Sequence, residues 1–314
     1  MKFTKMHGIG NDYIYFNCFD LTVEQMDELA IMVSDRHFGI GSDGAIFICP
    51  SKNADAEMRL YNADGSYAEM CGNGIRCVAK YIYDNAMVDN TTLRIESGGK
   101  VKEIQLSVKK EEPNKITGKL FGKRSDGMVV DTATVNMGEP VLVPALIPVN
   151  VEESERVSEK GKGYTDVITP AGIKSEAVIA HPIEVDGVKY EMTCVSVGNP
   201  HAVVFVDDVK NFPLETLGSK FENHKYFPNR INTEFVRVVD RTHVEMRVYE
   251  RGSGETLACG TGATATVIAC ILNGLTDNEV TVHLLGGDLK IKWDKETNHA
   301  YMTGGASFIC EGDV

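Results

Sequence analysis

The stretch Glu57-Met58-Arg59-Leu60-Tyr61 decides the fold, because it returns as Glu245-Met246-Arg247-Val248-Tyr249 after an offset of 188 residues. The same offset places Cys71-Gly72-Asn73-Gly74 on Cys259-Gly260-Thr261-Gly262. No net insertion separates the two copies over this span, so we predict that the chain is an internal duplication. Because duplicated folds usually lie about a pseudo-twofold axis, we expect Cys71 and Cys259 to face each other across a cleft between the halves.

The length of 314 residues is sufficient for two domains, each with its own hydrophobic core. The duplication places a first domain at 1–125 and a second domain at 126–300. A last strand, from Ala306 to Cys310, has no counterpart in the repeat. Mixed strand and helix patterns predict an α+β fold.

Local patterns predict the elements of the first copy. Short apolar strands are expected at 10–19 and 45–49, and a helix is expected from Val23 to Phe38, ending at Gly39. The stretch 57–61 reads as a strand and 62–66 as a turn. A helix then begins just after Cys71, with one apolar face formed by Ile75, Val78, Ala79 and Ile82.

A formal net charge of −13 argues against nucleic acid or an anionic membrane as a partner, because either would be repelled. We therefore expect a small-molecule partner. No apolar run follows the first residues, and the apolar stretch 263–272 is too short to span a bilayer. These features predict a cytoplasmic protein.

The chain has eight cysteines. Six of them stand singly among apolar residues and are predicted to be reduced core residues: Cys18, Cys49, Cys77, Cys194, Cys270 and Cys310. No CxxC pair occurs and the spacing from Cys71 to Cys77 matches no zinc motif, so no metal site is predicted. Gly39–Gly44 fits GxGxxG, but it follows a helix and precedes a strand, the reverse of a dinucleotide site.

Two charged runs interrupt the segment between the copies. They are Lys109-Lys110-Glu111-Glu112-Pro113-Asn114 and Ser158-Glu159-Lys160-Gly161-Lys162-Gly163. We expect solvated turns at both. The alternative is a substrate lid or a contact between subunits.

Each repeat cysteine precedes a glycine, a small polar residue and a second glycine at the start of a predicted helix. Free backbone N–H groups and the positive end of the helix dipole should stabilise a thiolate there. A thiolate and an opposing thiol on two faces of one carbon could remove a proton and return another with inversion. Two helix N-termini could stabilise the charge that develops on the adjacent carboxylate. A lone cysteine is more often a small buried hydrophobe, but two at equivalent positions favour chemistry.

Three other kinds of residue are candidates for ligand binding. Asn11 and Asn199 are repeat equivalents that could hold polar groups of a ligand or simply fill turn positions. Arg251 could grip a carboxylate, or form a surface ion pair. His201 could tune a thiolate, or be a satisfied core histidine.

Together these motifs resemble the diaminopimelate epimerase family. The resemblance rests on Met6-His7-Gly8-Ile9-Gly10-Asn11-Asp12, Asn62-Ala63-Asp64-Gly65-Ser66, Met70-Cys71-Gly72-Asn73-Gly74-Ile75-Arg76-Cys77, Gly198-Asn199-Pro200-His201 and Glu250-Arg251-Gly252-Ser253-Gly254-Glu255-Thr256-Leu257-Ala258-Cys259-Gly260-Thr261-Gly262. It runs over both halves of the chain.

The resemblance implies an enzyme without cofactor, independent of PLP, that interconverts LL- and meso-diaminopimelate for lysine and peptidoglycan synthesis. It implies that Cys71 and Cys259 act as acid and base, assisted by His201 and Glu250. The implied fold has two similar domains, each a curved mixed or antiparallel sheet around a central helix, with the last segment, 301–314, returning to the first domain. The resemblance also implies a cytoplasmic homodimer.

The resemblance further implies two groups of substrate-binding residues. Gly72, Asn73, Gly260 and Thr261 would bind the reacting α-carboxylate. The rest of the substrate would be held by Asn11, Asn62, Asn199, Asn232, Glu250 and Arg251. Many relatives carry glutamine where this chain has Gly44, which would alter a contact with the ligand rather than the reaction.

The segment between the halves is longer than is usual in the family, and sister enzymes racemise other amino acids with the same cysteine pair. A cofactor-independent racemase of another amino acid, such as histidine, is therefore an alternative. A catalytically silent binding module and a redox switch that forms a Cys71–Cys259 disulfide are two more hypotheses. We also predict that disulfide as a side reaction of the enzyme.

Overall fold

The structure is a computed structural model that describes residues 1–113, 120–159 and 162–314. The chain forms two compact units. The first unit consists of Met1–Asn136 and Thr303–Val314, and the second consists of Met137–Met302. The first unit continues past residue 125 because strand pairing with residues 128–135 extends it.

Two helices and a series of strands form the Met1–Asn136 part of the first unit. They are β1 (Lys2–Gly8), β2 (Asn11–Asn17), α1 (Met26–Ser34), β3 (Gly44–Cys49), β4 (Ala56–Asn62), β5 (Tyr67–Ala68), α2 (Gly72–Asp84), β6 (Thr92–Ser97), β7 (Lys100–Lys110) and β8 (Met128–Gly138), at whose end the second unit begins.

The second unit starts with two 3₁₀ turns, Pro144–Leu146 and Glu153–Glu155. Its elements are β9 (Ser158–Glu159), β10 (Lys162–Ile168), β11 (Lys174–Val185), β12 (Val188–Ser196), β13 (Pro200–Phe205), α3 (Leu214–Glu222), β14 (Asn232–Val238), β15 (His243–Glu250), β16 (Gly254–Thr256), α4 (Gly260–Leu272), β17 (Glu279–Leu284), β18 (Gly287–Trp293) and β19 (Ala300–Gly304). The last strand, β20 (Ser307–Asp313), pairs antiparallel with β1 of the first unit.

The two units repeat one topology, which confirms the predicted duplication. In the first, α1 joins the parallel strands β2 and β3, and α2 joins the parallel strands β4 and β6. In the second, α3 joins β13 to β14 and α4 joins β15 to β17, again in parallel. Register also agrees, since Phe47 pairs with Arg59 and Phe235 with Arg247. The fold is a mixed α+β fold, as predicted.

The predicted helix from Val23 to Phe38 is too long. The structure has only α1 there, and the chain turns at Asp35. One carboxylate oxygen of Asp35 accepts hydrogen bonds from the backbone N–H groups of His37 and Phe38, both at 2.7 Å. This local cap competes with the helix and ends it.

Helix α2 begins just after Cys71 and buries the predicted apolar face, but the rest of the helix is buried as well. All thirteen residues of this helix are buried, the charged ones included. Lys80 Nζ lies 2.7 Å from Asp84 Oδ2, and both side chains bond the backbone of Val130 in β8. A fully surrounded helix can therefore carry charges because they are paired within the unit.

The charged runs are only partly turns. Lys109 and Lys110 belong to β7, where Lys109 Nζ lies 2.6 Å from Asp131 Oδ1. Asn114 lies outside the described residues. In the second run, Ser158 and Glu159 pair with Lys162 and Gly163 as strands β9 and β10, while Lys160 and Gly161 lie outside the described residues.

Most of the predicted core cysteines are buried, namely Cys49, Cys77, Cys194 and Cys270. Cys310 is exposed on β20, so its prediction is wrong, and Cys18 is only half-buried. Of the helices that the structure describes, none is long and apolar enough to cross a membrane.

Candidate active site

Cys71 lies at the N-terminus of α2, as predicted. Its backbone is extended, with φ −138° and ψ 112°, so it is the residue that precedes the first helical turn. The backbone N–H of Gly74 donates to the Cys71 sulfur at 3.3 Å. A sulfur so placed receives the unpaired N–H groups of the helix start, where negative charge is stabilised.

The amide of Asn11 contacts Cys71. Its Oδ1 accepts a hydrogen bond from the Cys71 thiol at 3.3 Å, and its Nδ2 donates to Asp43 Oδ2 at 2.7 Å. Asp43 in turn contacts Arg36 at 2.9 Å. Asn11 is therefore oriented by a chain of charged groups, and it starts β2 just after a two-residue turn in which Gly10 has a φ of 89°.

Tyr13 is a further residue beside Cys71, and it belongs to none of the sequence motifs. Its side chain is buried, and its hydroxyl lies beside Cys71 and Asn11. Burial, followed by the nearby Cys71 charge, raises the pKa of Tyr13 well above its usual value. The hydroxyl is therefore available as a neutral hydrogen-bond donor.

Gly44 faces the ring of Tyr13. A Cβ on Gly44 would lie 3.1 Å from Tyr13 Cε1 and 2.2 Å from the carbonyl oxygen of Tyr61. No larger residue fits this backbone position without rearrangement. Gly44 pairs with Asn62 across β3 and β4, and the Asn62 amide donates to Ser66 Oγ at 3.0 Å.

Asn73 is held by a buried arginine. Arg76 Nη2 donates to Asn73 Oδ1 at 2.9 Å, and Arg76 Nη1 donates to the Gly72 carbonyl at 3.1 Å. Arg76 is fully buried, and this burial lowers its pKa. The guanidinium thus fixes the first turn of α2, including both residues predicted to bind the α-carboxylate.

Cys259 has the equivalent position at the N-terminus of α4. Its backbone is also extended, with φ −124° and ψ 110°, and the Gly262 N–H donates to its sulfur at 3.4 Å. Thr261 Oγ1 lies 3.4 Å from the same sulfur. The two cysteines therefore have the same backbone environment.

The electrostatics of Cys259 differ from the expectation of a stabilised thiolate. Burial, then the carboxylates of Glu250 and Glu234, raise the pKa of Cys259 well above its usual value. These effects outweigh the contacts with Thr261 and Gly262, which lower it. This environment therefore favours the neutral thiol of Cys259 over its thiolate.

Glu250 contacts Cys259 from the end of β15. Its carboxylate accepts hydrogen bonds from Thr256 Oγ1, at 2.5 Å, and from the Cys259 thiol. Burial raises the pKa of Glu250. A carboxyl group of raised pKa beside a thiol is suited to exchanging a proton with it.

His201 is fully buried and connects two site residues. Its Nε2 lies 2.9 Å from Asn199 Oδ1, and its Nδ1 lies 2.7 Å from Glu234 Oε1. His201 is thus a satisfied buried histidine and also part of the Cys259 centre. Glu234, which is itself fully buried, is a second site residue that belongs to none of the sequence motifs.

Asn232 and Arg251 complete the second centre. Asn232 pairs with His201 across β13 and β14, and its Oδ1 accepts from the Arg251 N–H at 2.9 Å. The Arg251 side chain is exposed and donates to the Asn229 carbonyl at 3.2 Å. It forms no ion pair in the part of the chain that the structure describes, so its charge is available to a ligand.

The repeat offset could have found Tyr13, which falls on the candidate His201, but not Glu234, which falls on the apolar Ile46. It places Tyr13 on His201, Ile46 on Glu234, Gly44 on Asn232 and Asn62 on Glu250. The structure thus assembles two centres on one scaffold, one around Cys71 and the other around Cys259. Within the described residues, no group of three or more His, Cys, Asp and Glu side chains is placed to hold a metal.

Two comparisons of sequence give the same family. The family model described as diaminopimelate epimerase matches residues 3–120 and 193–309. The chain is 52% identical over 314 residues to the diaminopimelate epimerase of Agathobacter rectalis, covering 100% of this chain and 99% of that one. It is 49% identical over 314 residues to that of Acetivibrio thermocellus, covering 100% and 98%.

Solved structures share the fold at low identity. A phenazine biosynthesis protein of the PhzF family from Bacillus anthracis has a TM-score of 0.62 at 15% identity, covering 100% of this chain and 98% of that one. A probable proline racemase from Agrobacterium radiobacter has a TM-score of 0.63 at 10% identity, with coverage of 100% and 92%. The family model and the relatives at 49–52% identity show that the chain belongs to the diaminopimelate epimerase family, a family of isomerases.

Proposed function

We propose that this protein epimerises LL-diaminopimelate to meso-diaminopimelate by a two-base mechanism with Cys71 and Cys259. The observation that carries the proposal is the placement of both cysteines at the N-termini of equivalent helices, α2 and α4. The relatives at 49–52% identity carry the same activity in their names.

The reaction begins with removal of the α-proton by one sulfur, as a thiolate. The other sulfur, as a thiol, then delivers a proton to the opposite face of the α-carbon. The raised pKa of Cys259 supports an initial assignment of Cys259 as the acid and Cys71 as the base. The reverse reaction exchanges these roles, so both stereoisomers are substrates.

The carbanion needs stabilisation at the adjacent carboxylate. The first turns of α2 and α4 offer backbone N–H groups from Gly72, Asn73, Gly260 and Thr261, together with the positive ends of the helix dipoles. Such fixed donors stabilise developing charge without reorganising in the transition state. The buried Arg76 supports one of these turns through Asn73.

The far end of diaminopimelate carries an amino group and a carboxylate, and the site offers a group for each. Arg251 has an exposed guanidinium that can bind a carboxylate bidentately. The amides of Asn11, Asn62, Asn199 and Asn232 and the carboxylate of Glu250 can hold the remaining polar groups. This set favours a substrate with a distal zwitterion over histidine.

The first experiment follows hydrogen exchange in D₂O. Reduced protein is incubated with LL-diaminopimelate without added cofactor, and α-deuterium and meso product are measured by mass spectrometry and chiral chromatography. We expect both to appear, and we expect Cys71→Ala and Cys259→Ala each to lose at least about a hundredfold in rate, the usual contribution of a general acid or base.

Cys310→Ala is the matched control, because Cys310 is exposed on β20 and belongs to neither centre. It should retain the wild-type rate. Wild-type activity in either active-site variant would disprove the two-base mechanism. Exchange into L-histidine but not into diaminopimelate would establish the racemase alternative instead.

We further propose, from the family resemblance, that the protein is a cytoplasmic homodimer. Light scattering with size-exclusion chromatography tests the dimer. A mass of one chain at micromolar concentration would contradict it.

The predicted Cys71–Cys259 disulfide also stays a prediction, testable by peptide mapping of air-exposed protein.

A further inference from the structure

The two centres differ most at a buried acidic residue. Glu234 is fully buried on β14, and the repeat places it on Ile46, an apolar residue of β3. The geometry agrees with that pairing. A Cβ on Gly74 would lie 2.7 Å from Ile46 Cδ1, and a Cβ on Gly262 would lie 2.6 Å from Glu234 Oε1.

A second difference between the copies accompanies the change from Ile46 to Glu234. Tyr13 in the first copy becomes His201 in the second, and Glu234 Oε1 lies 2.7 Å from His201 Nδ1. Glu234 and His201 therefore occur together in the second copy, whereas Ile46 and Tyr13 occur together in the first. A buried carboxylate is costly unless it is paired, so its presence in place of a hydrocarbon calls for a role.

We propose that Glu234 is a positioning residue of the Cys259 centre, which acts through His201 to orient the Asn199 amide toward the substrate. This inference rests on the proposed function for its substrate, but not for its geometry. The line of contacts runs from Glu234 Oε1 to His201 Nδ1, and from His201 Nε2 to Asn199 Oδ1 at 2.9 Å.

These two contacts form a relay from Glu234 through His201 to Asn199. The Asn199 carbonyl oxygen can only accept, so His201 Nε2 carries a hydrogen. One hydrogen lies between Glu234 Oε1 and His201 Nδ1, which are 2.7 Å apart, and it joins the two side chains whichever atom holds it. With Oδ1 of Asn199 engaged by His201, the amide donors of Asn199 are presented to an anionic group of the ligand.

Glu234 also lies close to Cys259. A Cβ on Gly262 would lie 3.2 Å from the Cys259 sulfur as well as 2.6 Å from Glu234 Oε1, so the two groups lie on the same side of the α4 backbone. The second oxygen, Glu234 Oε2, is buried and has no hydrogen-bond partner among the described residues. Natural folds leave such an atom mainly at functional sites.

The test is a double-mutant cycle on Glu234 and His201, in which the replacements are the residues of the first copy. Glu234→Ile and His201→Tyr are each expected to lower kcat/KM by up to about a hundredfold, because a small misplacement of a substrate-binding group has this effect. The double variant recreates the Tyr13–Ile46 pair, and we expect it to be no slower than the slower single variant. Multiplied losses would show that the residues act independently and would overturn the relay.

Glu234→Gln is the control for misfolding, because it keeps the size of the side chain and removes its acidic group. Nitrogen-15 NMR of histidine-labelled protein, with the His201 signals assigned from His201→Tyr, reports which ring nitrogens carry hydrogen. We expect the His201 Nδ1 signal to differ between the wild type and Glu234→Gln, because the variant replaces the carboxyl group that shares a hydrogen with this nitrogen. An unchanged His201 pattern would refute the relay.

These measurements separate the two proposals. If wild-type protein exchanges no hydrogen with diaminopimelate while the His201 signals respond to Glu234→Gln, the proposed substrate is wrong and the relay holds. If exchange is normal and kcat/KM of Glu234→Gln and Glu234→Ile equals that of the wild type, the relay is wrong and the function holds.

Discussion

At the scale of single residues, the two cysteines share a backbone environment and differ in the side chains around them. Cys71 has Asn11 and Tyr13 as polar neighbours, whereas Cys259 has Glu250 and Glu234. Carboxylates disfavour a thiolate and a neutral hydroxyl favours one. The environment of Cys259 thus favours the neutral thiol, whereas the Tyr13 hydroxyl beside Cys71 can stabilise a thiolate.

The hydroxyl of Tyr13 gives a residue-scale prediction. Tyr13→Phe removes a donor beside Cys71 and should lower kcat/KM for epimerisation by about tenfold, since a hydrogen bond to a charged group contributes roughly 1.5–3 kcal/mol. The thermal midpoint should change little, because the ring is retained. Steady-state assays of the purified variant check this.

Tyr15→Phe is the matched control for that prediction. Tyr15 lies two residues further along β2, is fully buried, and faces Cys77 rather than Cys71. Loss of the Tyr15 hydroxyl should leave kcat/KM unchanged. Equal losses in both variants would show that the effect comes from the strand and not from the Tyr13 hydroxyl.

At the scale of elements, α2 and α4 are equivalent helices stabilised in different ways. In α2, Lys80 and Asp84 form a buried ion pair that also bonds the backbone of Val130. The repeat offset places two apolar residues at these positions of α4, the buried Ile268 and the half-buried Leu272. The second copy therefore has apolar residues, Ile268 and Leu272, where the first copy has the ion pair of Lys80 and Asp84.

Lys80→Ile should lower the free energy of unfolding by about 3–5 kcal/mol, because it leaves Asp84 as an unpaired buried charge. The double variant Lys80→Ile/Asp84→Leu should recover at least half of this loss, since no isolated charge remains. Urea denaturation of the two variants and the wild type measures both effects. A double variant less stable than Lys80→Ile would show that the bonds to Val130 outweigh the buried charge.

At the scale of the whole molecule, buried thiols make stability depend on pH. Burial raises the pKa of Cys77 to about 11 and that of Cys270 to about 12. In the unfolded chain such thiols ionise near pH 8.5. Between these values the unfolded state has lost protons that the native state retains, so rising pH favours unfolding.

We therefore expect the free energy of unfolding to be independent of these thiols below about pH 8 and to fall between about pH 9 and pH 11. Each thiol should contribute a slope of about 1.4 kcal/mol per pH unit. Urea denaturation at several pH values should show a shallower slope for Cys270→Ala than for wild type. Cys310→Ala should keep the wild-type slope because its thiol is exposed. Identical slopes in all three proteins would contradict this account.

The amino-acid sequence by itself determined the duplication, the mixed α+β class and the positions of both cysteines. It could do so because these features are local or periodic. The glycine that follows each cysteine and the apolar strands before it are written in consecutive residues. A repeated order of such residues also implies a repeated order of strand pairing.

Only the tertiary structure decided which side chains surround each sulfur. Glu234 and Tyr13 reach their cysteines through strand register and helix packing, over separations of 25 and 58 positions in the chain. The burial of all of α2, and the raised pKa of Cys259, likewise depend on what packs around these groups. Desolvation and charge act through space, so no local pattern of residues contains them.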